Sequence, residues 1–192
     1  MKGTRVIGDF EGRPVWEAVL TSDHGARVAI MSWGVTLRDW QVPVGGAMRS
    51  VVLGFPDFAS YPRHSPHFGA ICGRVANRIA HARFSLDGKT HVLDANWRGH
   101  TLHGGTRGLS RVNWVLEHAR SDEARFSYSS PDGENGFPGA VRFSATYRWA
   151  GTRLRLDLAA DPDRPTPISL VQHHYFNLGD GPAVLDHRVT IP

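Results

Sequence analysis

Residues 141–149 read VRFSATYRW, and residues 154–159 read LRLDLA. Apolar and polar side chains alternate through both stretches. In an extended strand successive side chains point to opposite faces, so this alternation predicts strands with one apolar face and one wet face. The same period recurs along most of the chain, whereas a helical period is hard to find. The sequence therefore predicts an all-β fold.

The alternating runs are short and are separated by turn residues. A hairpin is predicted where Asp87 and Gly88 separate two such runs. The strongest helical candidate is one short turn at residues 57–61. The predicted strands cover residues 15–20, 27–31, 35–42, 51–53, 82–86, 91–93, 112–118, 124–129, 141–149, 154–159 and 184–191. Many short strands with regular turns favour a β-sandwich or barrel. Because no linker or repeat interrupts them, we expect one domain over residues 1–192.

Composition excludes several classes of protein. Hydrophobic residues make up 41% and charged residues 21% of the 192 residues, as in ordinary globular domains. The net charge is +4, but the arginines are scattered and alternate with apolar residues. We interpret them as lying on the solvent-exposed faces of strands and expect no nucleic-acid partner. No apolar run is long enough for a bilayer, and no signal peptide is expected. Cys72 is the single cysteine, which fits a reducing compartment, and we expect a cytoplasmic protein.

The sequence holds 11 histidines, several of them in groups: His64 with His67, His100 with His103, and His173 with His174. Two histidines three residues apart can bind a metal if further ligands converge, so a zinc site is one interpretation. The other is that they form loop hydrogen bonds, with one or two used in acid–base chemistry. Nucleophile-elbow, Walker A and dinucleotide-binding motifs are absent from the sequence. Cys72 follows Ala70 and Ile71, a setting typical of an inert buried thiol.

Three polar blocks lie among glycines and aromatic residues. They read GRVANRI at residues 73–79, LHGG at 102–105 and QHHYFNL at 172–178. Asparagine, arginine and histidine supply fixed donors and acceptors for several hydroxyl groups. Aromatic rings supply flat apolar faces that suit the C–H face of a sugar. The three blocks together favour a carbohydrate site.

In this order the blocks resemble the aldose 1-epimerase (galactose mutarotase) family. The resemblance runs through FG and GRVANRI at residues 68–79, FSLDG at 84–88, LHGG, SPDGENGFPG at 130–139 and PISLVQHHYFNL at 167–178, with Asn96, Gly108 and Trp114 in family-like positions. It covers nearly the whole chain. It implies a galactose-mutarotase-like β-sandwich, or supersandwich, of which this chain is the amino-terminal part. It also implies interconversion of the α and β anomers of free aldohexoses.

The resemblance also implies roles for individual residues. His173 is expected to be the general acid that protonates the ring oxygen of the sugar. Asn77, Arg78 and His103 are expected to hydrogen-bond sugar hydroxyls, and Tyr175 is expected in the pocket wall. The reaction needs no cofactor and no metal, because nothing is oxidised and no group leaves.

Some residues depart from the family or stay outside the site. Gln172 stands where the family commonly has Asn, and His174 stands where it has a small polar residue. An extra imidazole beside His173 can alter the pKa of this general acid, since two neighbouring cations disfavour each other's charged forms. Arg74 is interpreted as structural, and Asp132 and Glu134 as turn residues.

The family's catalytic base is a glutamate in its carboxy-terminal part, where an aspartate of the sugar site also lies. The sequence ends at Pro192, before either, and none of its glutamates has a matching context. We therefore expect a mutarotase in the full-length protein and weak or no activity in the 192-residue chain. Three alternatives stay open: a non-catalytic sugar-binding module, an epimerase of hexose 6-phosphates, and a metal-dependent β-barrel enzyme.

Overall fold

The computed structural model describes residues 3–179 and 181–191, and nearly all of its regular structure is β. Residues 1, 2, 180 and 192 of the predicted domain lie outside the described residues. The described strands are β1 (Thr4–Phe10), β2 (Arg13–Thr21), β3 (Arg27–Met31), β4 (Thr36–Val44), β5 (Ala47–Ser50), β6 (Ile71–Cys72), β7 (Arg78–Ile79), β8 (Arg83–Leu86), β9 (Lys89–Val92), β10 (Thr101–Leu102), β11 (Val115–Ala119), β12 (Glu123–Ser130), β13 (Val141–Ala150), β14 (Arg153–Pro162) and β15 (Val171–Gln172). One short helix, α1 (Ser60–His64), and 3₁₀ turns at Ala80–Ala82, Leu109–Arg111 and Glu134–Gly136 complete the regular elements of these residues.

Two antiparallel sheets dominate the described residues. The larger has the order β1-β2-β3-β4-β5, and the second has the order β11-β12-β13-β14. Each strand pairs with its neighbour in sequence, so both sheets are meanders joined by tight turns. Gly45 and Gly46, with φ of 59° and 83°, form the turn between β4 and β5. Positive φ at both central residues is what a two-residue hairpin needs.

The two sheets bury their apolar faces against a shared core. In β13 every second residue is buried, as the alternation in VRFSATYRW predicts. These side chains pack in one cluster with residues of the larger sheet, among them Leu20, Ile30 and Leu37. The buried residues of β13 are Val141, Phe143, Ala145, Tyr147 and Trp149. Each large apolar side chain buried in this way contributes about 1.5–3 kcal/mol. The all-β sandwich is therefore confirmed.

The arginines of the second sheet lie on its outer face. Arg142 is 3.3 Å from Glu117, and Arg155 is 2.7 Å from Asp157. Arg148 pairs with Glu123 in the same way. Exposed ion pairs of this kind contribute little to stability, at most about 1 kcal/mol. The interpretation of the scattered arginines as wet strand faces is confirmed for this sheet.

The other described strands form three two-stranded ladders outside these sheets: β6 with β15, β7 with β10, and β8 with β9. The β8–β9 pair is the hairpin predicted at Asp87 and Gly88, whose φ values are 50° and 75°. The other two ladders join segments that are far apart in sequence. They bring the polar blocks at residues 73–79, 102–105 and 172–178 together.

Several predicted elements differ from the structure. The strand predicted at 184–191 is wrong: Leu185 and Ile191 are 90% and 86% exposed, and no described residue pairs with this segment as a strand. Alternation gives a segment two faces, but a strand also needs a neighbouring backbone to satisfy its hydrogen bonds. The strand predicted at 51–53 is also wrong. The hairpin partner is β5, and Val52 makes one isolated bridge, to Phe176.

At the amino-terminal half two further differences appear. The helix begins at Ser60, three residues later than predicted, because the Asp57 carboxylate accepts a hydrogen bond from the Ser60 N–H at 2.9 Å and holds residues 57–59 in a turn. Strand β1 was not predicted. It pairs with β2 through a turn at Glu11 and Gly12, with φ of 54° and 73°. In the described part of the chain, no helix has the length and apolar character to span a membrane.

Candidate active site

A cavity of about 510 Å³ lies where the two long-range ladders meet. All five residues that the resemblance placed in the sugar site line this cavity, and one histidine that it did not name lines it too. The polar and aromatic members of the lining are His67, Asn77, Arg78, His103, His173 and Tyr175. The folded chain thus brings together side chains that are up to about 100 residues apart in sequence.

Asn77 and His103 face each other at the end of the β7–β10 ladder. In this ladder Leu102 is opposite Arg78, so the next residues on each strand form the following pair. The His103 N–H donates to the Asn77 carbonyl at 2.9 Å, and the Asn77 N–H donates to Nδ1 of the His103 ring at 3.0 Å. Because Nδ1 accepts this hydrogen bond, the proton of the neutral ring is on Nε2.

The LHGG block packs closely against the backbone of Gly73, because Gly104 has no side chain. A Cβ at Gly104 would lie 1.8 Å from the carbonyl oxygen of Gly73, and its φ is 85°. Only glycine permits both this conformation and this approach. The amide of Asn96 bonds both backbone groups of Leu102, at 3.0 and 2.7 Å, and holds the block from the other side. The position of His103 is therefore determined by its backbone neighbours.

Arg78 extends from the same ladder and is held at its guanidinium. Its Nη1 donates to Oδ1 of Asn77 at 2.9 Å, and its Cζ lies 4.1 Å from the ring centroid of Trp97. Trp97 and His100 exchange two backbone hydrogen bonds across a tight turn, which presents the indole to the guanidinium. A cation over the face of Trp is attracted by the ring quadrupole.

His173 and Tyr175 come from the segment that follows β15. The β6–β15 ladder continues past Gln172, because the His173 N–H donates to the Ala70 carbonyl at 2.9 Å and the Gly69 N–H donates to the His173 carbonyl at 2.8 Å. The His173 and Tyr175 rings stack, with centroids 5.2 Å apart and planes at 29°. The Tyr175 hydroxyl donates to the Pro66 carbonyl at 3.2 Å. Both rings therefore have defined positions in the wall.

His67 is the lining residue that the sequence-based prediction missed. Its ring centroid is 4.8 Å from that of His103 and 5.8 Å from that of His173. The His103 and His173 centroids are 5.1 Å apart, so the three imidazoles form one cluster. His67 immediately precedes the Phe-Gly that opens the first family-like block, and that adjacency was the one sequence signal of its place.

Burial keeps two of the three imidazoles neutral. It lowers the pKa of His67 to about 4, with further contributions from His103, Arg111 and His173. It also lowers the pKa of His103 to about 4, with contributions from His173 and Arg78. Neutral His67 and His103 act as hydrogen-bond groups near neutral pH and add no cations beside His173.

Three lining residues have left-handed backbone conformations. The φ values are 69° at His67, 60° at Asn77 and 51° at His103. For residues other than glycine this region costs about 1–2 kcal/mol each. Such strain persists only where the surrounding structure imposes it, and it is concentrated at binding and catalytic sites.

His174 points away from the cavity, as alternate side chains of an extended segment do. Its Nε2 is 3.1 Å from Nε2 of Gln172, and its ring packs near Trp40 and Phe176. Burial, with a smaller contribution from His173, lowers the pKa of His174 to about 4. The second imidazole of the pair is therefore neutral near pH 7.

Arg74 is buried and structural, as predicted from the sequence. Its guanidinium donates to the Gly139 carbonyl at 2.8 Å and to Oγ of Ser130 at 2.7 Å, among several hydrogen bonds to the loop at residues 130–139. Asp132 accepts the Gly139 N–H at 2.7 Å, and Glu134 accepts the Tyr128 hydroxyl at 2.5 Å. Both carboxylates belong to this loop and not to the cavity lining.

Other candidate chemistry is placed outside the cavity. Burial raises the pKa of the Cys72 thiol to about 12, as expected of an inert buried cysteine. The ring of His100 accepts a hydrogen bond from the His81 N–H at 2.9 Å. Over residues 3–179 and 181–191, no group of three or more His, Cys, Asp or Glu side chains is arranged to hold a metal ion.

Comparison with known proteins agrees with this geometry. The family model described as aldose 1-epimerase matches residues 17–192. The chain therefore belongs to the aldose 1-epimerase family. It is 44% identical over 190 residues to a galactose mutarotase of Sus scrofa, covering 97% of this chain and 55% of the relative. It is 33% identical over 184 residues to an aldose 1-epimerase of Escherichia coli, covering 94% of this chain and 53% of the relative.

Solved structures give the same result. A galactose 1-epimerase from Lactobacillus acidophilus superposes with a TM-score of 0.81 at 26% identity, covering 92% of this chain and 53% of that one. An aldose epimerase homologue from C. elegans superposes with a TM-score of 0.79 at 28% identity, covering 84% and 50%. The chain spans about half the length of the curated relatives and solved structures that it matches.

Proposed function

We propose that the whole protein to which this chain belongs is an aldose 1-epimerase, which interconverts the α and β anomers of free aldohexoses such as galactose or glucose. The observation that carries this proposal is the convergence of Asn77, Arg78, His103, His173 and Tyr175 on one cavity. These are the residues that a sugar-opening site needs, and they come from three separate blocks of sequence. The names of the relatives support the same activity.

The reaction opens and recloses the sugar ring. A general base takes the proton of the anomeric hydroxyl, the bond between C1 and the ring oxygen breaks, and His173 protonates that oxygen. The open aldehyde rotates about its C1–C2 bond, and the reverse proton transfers close the ring on the other face. Positioned acids and bases of this type each contribute about 10²–10⁴-fold in rate.

The other lining residues hold the sugar. His103 presents its Nε2–H, because Nδ1 is occupied by the Asn77 N–H. Arg78 and the side chain of Asn77 act together, since they are hydrogen-bonded to each other. Tyr175 offers an aromatic face beside His173 for the C–H groups of the sugar. Fixed donors around the cavity favour one orientation of the substrate.

The base comes from outside the described lining. The described residues around the cavity include imidazoles, a guanidinium, an amide and a phenol, and no carboxylate. The resemblance places the family's glutamate base and an aspartate in the carboxy-terminal part of the fold. The 192-residue chain by itself is therefore expected to be at least about 10²-fold slower than the whole protein.

Polarimetry on freshly dissolved α-D-galactose and α-D-glucose tests the proposal. The whole protein should bring the optical rotation to equilibrium faster than buffer, and a rate equal to buffer would overturn the enzyme proposal. A normal rate for the 192-residue chain would overturn the assignment of the base. Titration calorimetry separates the alternative of a non-catalytic module, which binds sugar without mutarotation. Glucose 6-phosphate, run in parallel, tests the phosphate-specific alternative.

Two further proposals concern the setting of the site. We treat residues 1–192 as one incomplete sandwich domain, which is supported by the apolar cluster shared between the two sheets. We place the protein in the cytoplasm, which is compatible with the free, buried thiol of Cys72. Limited proteolysis and cell fractionation check these two points.

A further inference from the structure

His67 is a cavity residue to which neither the family resemblance nor the comparisons assign a role. It lies in the loop before β6, lines the cavity, and is in ring contact with both His103 and His173. The Nδ1 atom of His67 is 2.9 Å from Oγ of Ser110, a residue that is 1% exposed. Within the described chain, Nε2 of His67 has no hydrogen-bond partner, so one ring nitrogen is anchored and the other is available.

The hydrogen bond behind the ring determines which nitrogen carries the proton. Oγ of Ser110 is the partner of Nδ1 of His67, at 2.9 Å. When the Ser110 hydroxyl donates its single proton to Nδ1, the neutral imidazole has its proton on Nε2. This arrangement presents an N–H donor at the cavity.

We propose that His67 is a third imidazole of the sugar site, which donates a hydrogen bond from Nε2 to one hydroxyl of the bound aldose and so contributes to substrate specificity. The proposal rests on the proposed function, since it takes a free sugar as the occupant of this cavity. It adds a donor next to His103 and His173, beyond those that the Asn77–Arg78 pair supplies.

The local structure favours this role over simple filling of space. The backbone of His67 has a φ of 69°. A β-branched or bulky apolar residue adopts this left-handed conformation at an energetic cost, and an apolar contact alone does not require it. The buried hydroxyl of Ser110 also holds Nδ1 of the His67 ring. A hydrogen bond at one ring nitrogen orients the other nitrogen, here Nε2, for a ligand. Burial, with smaller contributions from His103, Arg111 and His173, lowers the pKa of His67 and keeps the ring neutral, which is the form with one N–H donor and one acceptor nitrogen.

Sugar binding by variants of the whole protein tests the assignment. His67→Phe keeps an aromatic ring of similar shape and removes both nitrogens. His67→Gln places an amide N–H near the position of Nε2. It provides a second measurement of the role of His67 if the Phe variant fails to fold. His24→Phe, at an exposed turn between β2 and β3 and outside the cavity lining, is the matched control. Calorimetry gives the dissociation constant for D-galactose and for each of its monodeoxy derivatives.

The expected result is a pattern across the derivatives. His67→Phe should weaken binding of D-galactose by about fivefold, the usual effect of one net hydrogen bond. The loss should disappear for the one derivative that lacks the partner hydroxyl. His67→Gln should recover part of the affinity, and the control should match the wild type. If His67 had a purely structural role, its substitution would reduce the affinity equally for every derivative.

The outcomes separate this assignment from the proposed function. Unchanged affinity in both His67 variants, or an equal loss for all derivatives, overturns the role of His67 while leaving the epimerase proposal intact. Sugar binding without mutarotation overturns the epimerase proposal. In that case the pattern of affinities across the deoxy derivatives still tests whether His67 donates to a sugar hydroxyl. If the wild-type protein binds no aldose, both proposals are wrong.

Discussion

The backbone N–H of Asn77 donates a hydrogen bond to Nδ1 of the His103 ring across 3.0 Å. The two residues also share a second backbone hydrogen bond, and both have a positive φ. The ring of His103 is therefore fixed in one tautomer by a main-chain group, which side-chain substitutions at Asn77 do not remove. An Nε2–H donor facing the cavity follows from this arrangement.

Nitrogen NMR tests the tautomer directly. In ¹⁵N-labelled protein at pH 7, Nδ1 of His103 should have the chemical shift of an unprotonated, hydrogen-bonded nitrogen, and Nε2 that of a protonated one. His103→Asn, which tolerates a positive φ but has a shorter reach, should lower kcat/KM by roughly 10- to 100-fold, since hydrogen bonds to developing charge contribute about 1.5–3 kcal/mol. A protonated Nδ1 would contradict this account of the site.

His173 is expected to act on the chemical step and not on binding. Replacement by Gln, which keeps a polar side chain but no general acid, should lower kcat by about 10²–10⁴-fold while the dissociation constant for galactose changes only slightly. Magnetisation exchange between the two anomers at equilibrium measures the rate, and calorimetry measures the binding. Equal losses in both quantities would show that His173 holds the sugar instead of reacting with it.

The core of this fold was predictable from sequence because strand alternation is a local property. In β13 the apolar residues of VRFSATYRW are the buried ones. The strand predicted at 184–191 alternates equally well and is exposed, because alternation says nothing about which backbone pairs with a segment. Local pattern thus defines the faces of a strand and not its partners.

The site was predictable in part. The five residues carried over from the family converge on the cavity, whereas His67 and Trp97 were not predicted. The ladders that assemble the site, β6 with β15 and β7 with β10, are two residues long on each side. Elements of that length show no period, so contacts made through them emerge only in the folded chain.

Trp97 is expected to position Arg78. The guanidinium lies 4.1 Å from the centroid of the indole, a contact that contributes about 0.5–2 kcal/mol. Trp97→Leu should therefore raise KM about three- to tenfold with little change in kcat, and Trp97→Phe should fall between Leu and the wild type. Arg98→Ala, which removes the second cation near the same indole, at 5.1 Å, is the control and should behave as wild type. A change confined to kcat would contradict this role.

Stability should fall as the pH is lowered from about 6.5 to about 4. Burial lowers the pKa of His67, His103 and His174 to about 4, whereas histidine in an unfolded chain titrates near 6.5. In this window the unfolded state binds protons that the folded state does not, so the unfolding free energy decreases with decreasing pH and is level above about pH 7.5. Urea unfolding across this range measures the slope. His174→Gln should reduce the slope by up to about one proton.

Arg74 is expected to be a determinant of stability through the loop at residues 130–139. Arg74 is 3% exposed, and its guanidinium bonds carbonyl groups and a hydroxyl of that loop, with Glu134 nearby as a counter-charge. Arg74→Met keeps the length of the side chain but leaves several buried acceptors unsatisfied, so unfolding free energy should fall by about 3–5 kcal/mol. Arg74→Lys should lose somewhat less, because an ammonium keeps the charge but cannot reach acceptors on both sides of the fork. Hydrogen exchange distinguishes a local from a global effect: amides of residues 130–139 should lose protection first, and uniform loss across β13 would show that Arg74 supports the whole sandwich.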